Sequence, residues 1–176
     1  MQIPLFFLVS TLFCVHVEAR SVGKYAERDT INPYIKTVQD LTLDAAYALT
    51  NRARHTADSL HHNVTVVILD ASGEILMVTR GKGVGPHNTE AARREAYTSL
   101  STKTATLLLM RNTKANPDAQ NLNTLPELLL LSGGVPLWYR GNVVGSIGVA
   151  GGGSAQNDDL IANSVSILDS EISTTN

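Results

Sequence analysis

Two β-branched runs a turn apart constrain this chain most. Residues 64–70 read VTVVILD, residues 75–79 read ILMVT, and Ala71-Ser72-Gly73-Glu74 lies between them. Short runs rich in Val and Ile favour the pleated, half-buried surface of a sheet. A four-residue connection lets two such strands pair only antiparallel, because a parallel pair needs a long crossover. The pattern recurs downstream, where residues 135–139 and 143–150 flank Gly141-Asn142, a two-residue hairpin signal. Residues 127–131 read as a further strand, cut off by Gly133-Gly134, and Pro136 marks an edge or a bulge.

Helices fill the spaces between. Thr42 is placed to cap a helix in which Leu43, Ala46, Leu49, Ala53 and Ala57 recur at helical spacing, ending near His61-His62-Asn63. Asn88 or Thr89 would cap a long helix over residues 90–111, followed by a polar loop over 112–123 that contains Pro117. Asn157-Asp158 would open a last helix reaching about Ser170. The predicted order is αββαβββα. Successive hairpins argue for an α+β fold, a five-stranded antiparallel sheet flanked by helices, and against a doubly wound parallel sheet.

Composition narrows the function. The chain has 176 residues, 43% hydrophobic and 17% charged, with a net charge of −2. That is enough apolar content for a core, and it excludes both a disordered chain and a basic nucleic-acid binder. No apolar run reaches the ~18–20 residues of a spanning helix. The opening stretch MQIPLFFLVSTLFCVHV resembles the apolar region of a signal peptide, with Val17 and Ala19 at the small-residue positions before a cut. We therefore expect a signal peptide over 1–19, an N-terminal arm over 20–40 and a single domain over 41–176, in a secreted or secretory-pathway protein. The absence of Lys and Arg before the apolar region leans toward a eukaryotic host. Cleavage after Ala19 would remove Cys14, the one cysteine, and leave 157 residues with neither a disulfide nor a Cys-based zinc site. Such a secreted domain needs a sufficient core or a homo-oligomer interface. Asn63-Val64-Thr65 is the single N-glycosylation sequon.

Candidate chemistry gathers where the second hairpin strand runs into the second helix. The loop GKGVGP, residues 81–86, feeds a helix N-terminus, whose free N–H groups and dipole suit a carboxylate or phosphate. Lys82 adds charge and His87 stands at the same mouth. The G-x-G-x-G spacing and the element order do not match a dinucleotide fingerprint. His87, Glu90, Arg94, Tyr97 or Thr98, and Ser101 fall on one helical stripe, a set able to bind or act on a small oxygenated ligand. The hydroxyl-rich run from Tyr97 to Thr106 either permits close packing on a sheet or another subunit, or lines a polar pocket. His55, His61 and His62 read as surface or helix-end residues, and Asp158 and Asp159 as charges on a helix N-terminus. Trp138 and Tyr139 suit a subunit contact or a planar ligand. No histidine spacing points to a metal site, and no G-x-S-x-G elbow occurs.

Taken together, LTLDAA, VTVVILDASGEILMVTR, GVGPHNTEAARREAYTS, GGVPLW, GNVVGSIGVAGG and DDLIA resemble the GlcG/HbpS family of haem-binding or haem-degrading-like proteins. That family includes the C-terminal domain of PduO-type corrinoid proteins. The resemblance spans residues 41–168, and with the leader it points to the secreted, HbpS-like branch. It implies a compact profilin-like domain, homo-oligomers, and haem or another tetrapyrrole as ligand, with haem-linked redox chemistry within reach. The pocket is expected between the loops 81–87 and 148–153, with Gly83, Gly85, His87, Thr98, Gly151 and Gly152 as cofactor-binding positions. One departure stands out: where the family helix usually reads A-x-x-K-A-[YF]-T, this chain has Glu95 in place of the lysine. The alternative is a cofactor-free enzyme acting by acid–base chemistry on a small oxygenated metabolite of a secretory-route pathway, with His87, Glu90, Arg94 and Tyr97 as its catalytic groups.

Overall fold

The computed structural model describes residues 32–176; the expected leader and the first part of the expected arm lie outside the described residues. Residues 32–36 hold a turn closed by the Ile35 N–H on the Asn32 carbonyl. The compact unit runs Thr37–Asn176. Helix α1 (Leu43–Ser59) opens it, capped by the Thr42 hydroxyl on the Ala45 N–H. Strands β1 (Thr65–Asp70) and β2 (Ile75–Arg80) form the first hairpin. Helices α2 (His87–Thr102) and α3 (Thr106–Ala115) follow, then a 3-10 segment, Pro117–Thr124. Strands β3 (Gly134–Tyr139) and β4 (Asn142–Ala150) make the second hairpin. Helix α4 (Ala155–Asn163) and strand β5 (Ile172–Ser173) complete the unit.

The strands form one antiparallel sheet in the order β2-β1-β4-β3-β5. Helices cover both faces, which explains why β1 is apolar at consecutive positions. Val66 and Ile68 point to the side of α1 and α4, where they join Leu49, Ala53, Ile147 and Ile161. Val67 and Leu69 point to the other side and meet Ala92 and Ala96 of α2.

On that second face α2 comes unusually close. Across the sheet, Val67 of β1 pairs with Gly148 of β4, which pairs with Gly134 of β3. A Cβ on Gly148 would fall on the carbonyl of Ala92, and one on Gly134 on the carbonyl of Glu95. The helix backbone therefore rests on bare strand backbone, with small residues on the buried side of the helix. The helix hydroxyls fold back onto their own carbonyls: Thr98 donates to Arg94 at 2.7 Å, Ser99 to Ala96 at 2.9 Å and Thr102 to Thr98 at 2.8 Å. Of the two readings of the hydroxyl-rich run, close packing on the sheet is the one observed.

Several boundaries differ from the sequence reading. The expected single helix over 90–111 is two: Lys103 turns left-handed at φ 52° amid Ser and Thr, which hold a helix poorly, and α3 begins afresh. Neither Asn88 nor Thr89 caps α2, which starts at His87 directly after Pro86. The polar loop begins late, because α3 continues to Ala115. Residues 127–131 are not a strand. Side chains of α2 instead of a neighbouring strand take backbone groups in and just before this stretch: Arg94 donates to the carbonyls of Pro126 and Leu128, both at 2.8 Å, and Leu129 N–H donates to the Thr98 hydroxyl at 2.8 Å. The fifth strand is β5 at the C-terminus, pairing with Trp138 and Tyr139. The two residues of the second hairpin turn are Arg140 and Gly141, at φ 49° and 76°, one position earlier than read. Helix α4 stops at Asn163, where the Ser164 hydroxyl caps the Ile161 carbonyl, and Ser154 rather than Asn157 or Asp158 caps its start.

The glycine contact makes a sharp expectation. Gly148→Ala should cost about 3 kcal/mol, because a methyl must displace helix backbone. Gly83→Ala, at φ 78° with open space around it, should cost only about 1 kcal/mol, the left-handed penalty alone. Urea unfolding of the two variants checks the difference; equal losses would mean that α2 does not sit where described.

Candidate functional site

Seating α2 on Gly134 and Gly148 fixes which of its residues look sideways. His87, Ala91 and Glu95 recur every four residues, with Asn88 beside them, and line one wall of a cleft of about 460 Å³. The opposite walls are Met110 of α3, Leu131-Ser132, the loop after β4 and Asp158 of α4. The cleft therefore lies between α2 and the Gly151–Gly153 loop.

Its deepest group is Glu95, only 2% exposed. Oε2 has no hydrogen-bond partner, and it lies where a Cβ on Gly133 would come within 2.9 Å. Burial, reinforced by the negative charge of Asp158, pushes the Glu95 carboxyl up to about 9. It therefore carries its proton at neutral pH. Asp158 differs because it is bonded: its carboxylate accepts the Gly152 N–H at 2.7 Å, while the Asn157 amide donates to the Gly152 carbonyl at 2.7 Å. Burial raises Asp158 to about 6, against the lowering effect of the loop N–H groups and of His62. The two residues read as helix-end charges or caps thus pin the glycine loop.

A second depression of about 330 Å³ adjoins the cleft and shares Asn88 and Gly151 with it. Lys82, Gly83, Gly85, His61 and His62 line it. Where the cleft and the depression adjoin, two imidazoles rest on glycine backbone. A Cβ on Gly85 would come within 2.8 Å of the His87 ring, and one on Gly153 within 2.8 Å of the His62 ring.

Of the four residues expected to be catalytic, only His87 lines the cleft. Glu90 pairs with Arg93 at 2.8 Å on the outer surface, and Arg93 also reaches Glu127 at 2.9 Å. Arg94 is spent on the carbonyls of Pro126 and Leu128. Tyr97 packs beside Gly73 at the first hairpin turn. Thr98 is buried and bonded to Leu129. Gly83 and Gly85 belong to the second depression, Gly151 to both, and Gly152 serves as the anchor for Asp158. His55 is exposed. Arg140 lies over the Tyr139 ring at 5.0 Å. Among the described residues, no three His, Cys, Asp or Glu gather as a metal site would require, and no helix is long and apolar enough to cross a membrane.

The stripe that lines the cleft is displaced by one residue from the expected one, about 100° of helix rotation. The sequence signal was present in Ala91, Ala92 and Ala96, whose small side chains mark the side that must approach the sheet and hence place Glu95, rather than Arg94, inside.

A three-layer domain with a glycine-lined cleft at the start of its central helix is the architecture of a known group. Residues 41–166 match the family described as "Haem degrading protein HbpS-like", and this chain belongs to it. A double mutant of Streptomyces reticuli HbpS is 32% identical at a TM-score of 0.70, covering 76% of this chain and 89% of that one. The PduOC:Heme complex is 28% identical at a TM-score of 0.68, covering 78% of this chain and 99% of that one. The corrinoid adenosyltransferase PduO of Citrobacter freundii is 25% identical over 130 residues, 73% of this chain. The chain spans about two fifths of the length of the curated relatives it matches, 39% in each case.

The raised acids make stability fall with pH. Between about 4.5 and 9 the folded state holds a proton on Glu95 that the unfolded state has released, so stability is greatest below this window and declines through it. Asp158 acts in the same direction between 3.8 and about 6. Glu95→Gln keeps the shape without an ionisable group. It should unfold at a similar temperature to the parent at pH 5 and be more stable than the parent by over ~1 kcal/mol at pH 8. Thermal melts across this range check it; parallel pH profiles for the two proteins would place Glu95 in water.

Proposed function

We propose that this chain binds haem, or a closely related tetrapyrrole, where the cleft and its neighbouring depression meet. Membership of the HbpS-like family and the likeness to the PduOC:Heme complex support the ligand class. The observation that carries the reading is the pair of imidazoles, His87 and His62, seated on the bare backbones of Gly85 and Gly153. Neutral imidazole is a common protein ligand of haem iron. Lys82 would face the ligand's carboxylates, and Ala91, Leu131 and Ala150 offer apolar surface to the ring. Bound haem would supply one-electron chemistry, and redox activity belongs to the proposal on that ground. His87, at the first position of α2, is the residue we assign to the iron.

Titration of the haem-free protein with haemin, followed by the Soret band, tests the assignment. We expect saturation at one haem per chain and a loss of at least about 10-fold in affinity for His87→Ala. Because His87 is exposed, the variant should fold normally. Unchanged affinity would remove His87 from the site; no Soret shift in either protein would overturn haem binding itself.

We also propose that the protein is secreted after removal of residues 1–19 and works as a homo-oligomer. The apolar leader and the Val17/Ala19 pair support the first, and the lack of any disulfide after cleavage supports the second. Native and denaturing mass measurement of secreted material should give an N-terminus at Arg20 and a multiple of the chain mass. Retained residues 1–19, or a monomer at micromolar concentration, would refute the respective part.

A further inference from the structure

We propose that the deep end of the cleft binds a small uncharged carbonyl compound, whose oxygen accepts a hydrogen bond from the carboxyl group of Glu95. This site shares the cleft walls Ala91, Leu131 and Ala150 with the haem proposal but does not depend on haem being bound.

Glu95 is 2% exposed and its Oε2 has no partner, although the side chain lines a cleft that can hold a ligand. A buried polar group without a hydrogen bond costs about 1–3 kcal/mol, so a ligand that accepts from this carboxyl would recover part of that cost. The backbone of Glu95 is held against Gly134 and its carboxyl lies against Gly133, so the group is positioned before a ligand arrives.

The cleft lining selects the ligand. Among the described residues, no Lys or Arg lines the cleft. The titratable groups facing Glu95 are Asp158 from α4 and His87 at the mouth, with His62 behind Asp158. A carboxylate ligand would meet the Asp158 charge with no Lys or Arg in the cleft lining to offset it. An ammonium ligand would need Glu95 ionised, which its burial opposes, and Asp158 is already engaged with the glycine loop. A carboxyl that keeps its proton offers one O–H donor that the fold leaves unused, and that donor matches an acceptor oxygen. Ala91, Met110, Leu131 and Ala150 supply apolar walls, and about 460 Å³ accommodates a ligand of one or two rings. A donor of this kind strengthens as charge develops on the oxygen, as an oxyanion-stabilising acid requires.

Acetophenone labelled with ¹³C at the carbonyl is the probe, added to the haem-free full chain and read by NMR. At pH 7 we expect saturable binding and a downfield carbonyl shift. Both should weaken by about tenfold as the pH rises through 9, where the donor proton is lost. Glu95→Gln keeps an N–H donor that does not titrate, so it should bind at pH 7 and stay flat to pH 10. Glu95→Leu should bind about tenfold more weakly, without the downfield shift. The proposal is overturned if acetophenone does not bind, if the parent and Glu95→Leu bind alike, or if affinity in the parent is flat through pH 9. Tighter binding of benzylamine than of acetophenone would also overturn it, in favour of a cation site. None of these readouts involves haem, so this site and the haem assignment fail or stand separately.

Discussion

The contact between the backbone of α2 and the glycines of β3 and β4 is what the rest of the domain depends on. Gly148 and Gly134 are register partners, and each occupies a place where a Cβ would strike a carbonyl of the helix, at Ala92 and Glu95 respectively. Two glycines side by side make a flat track across the sheet, and Ala92 and Ala96 let the helix settle into it. Packing of this kind fixes both the height and the rotation of the helix. A helix held off by Leu or Val could roll by tens of degrees with compensating rotamers; one resting on backbone cannot.

Rotation decides chemistry here. With α2 locked, His87, Ala91 and Glu95 face the cleft, whereas Glu90, Arg93 and Arg94 face outward or along the sheet. The same lock takes Glu95 out of water. Its acidity is then set by the dryness of its surroundings, with Asp158 as a secondary influence. A carboxyl in that position is a neutral donor rather than a charge, which reverses the role a glutamate would have on the outer side of the same helix. Glu90, five residues earlier and exposed, is held below its ordinary range by Arg93.

How much of this was legible in the sequence differs by element. The two hairpins were, because β-branched runs with turn residues between them admit one pairing. So was the cap on α1, where Thr42 precedes an apolar periodicity. Family motifs anticipated the five-stranded sheet. What escaped were features determined by side chains reaching across the fold. Residues 127–131 carry the apolarity of a strand, yet Arg94 and Thr98, about thirty positions earlier, take their backbone groups. The pair at Ile172–Ser173 is too short to announce itself as a strand. In the site, His87 and the two glycine loops are legible, but the sequence pattern favours a stripe through Arg94 where the fold uses the one through Glu95. The departure at Glu95 was visible as an oddity of charge; its burial was not, because burial depends on the glycine track beneath it.

Arg94 and Thr98, expected in the site, build the wall beside it together with Arg93. Arg93 holds Glu127, Arg94 holds Pro126 and Leu128, and Thr98 holds Leu129. Together they lay residues 126–129 along α2 and so deliver Leu131 and Ser132 to the rim of the cleft. On the other side, Asn157 and Asp158 grip Gly152 and hold the loop that bears Gly151 and Gly153. Each wall is thus fixed by polar groups that reach from a helix to a segment with no strand partner. Such segments would otherwise expose unpaired backbone, and tying them to helix side chains satisfies it while keeping the space between them open. The cleft has that origin: it is the gap left where two irregular segments are held against helices instead of being packed against each other.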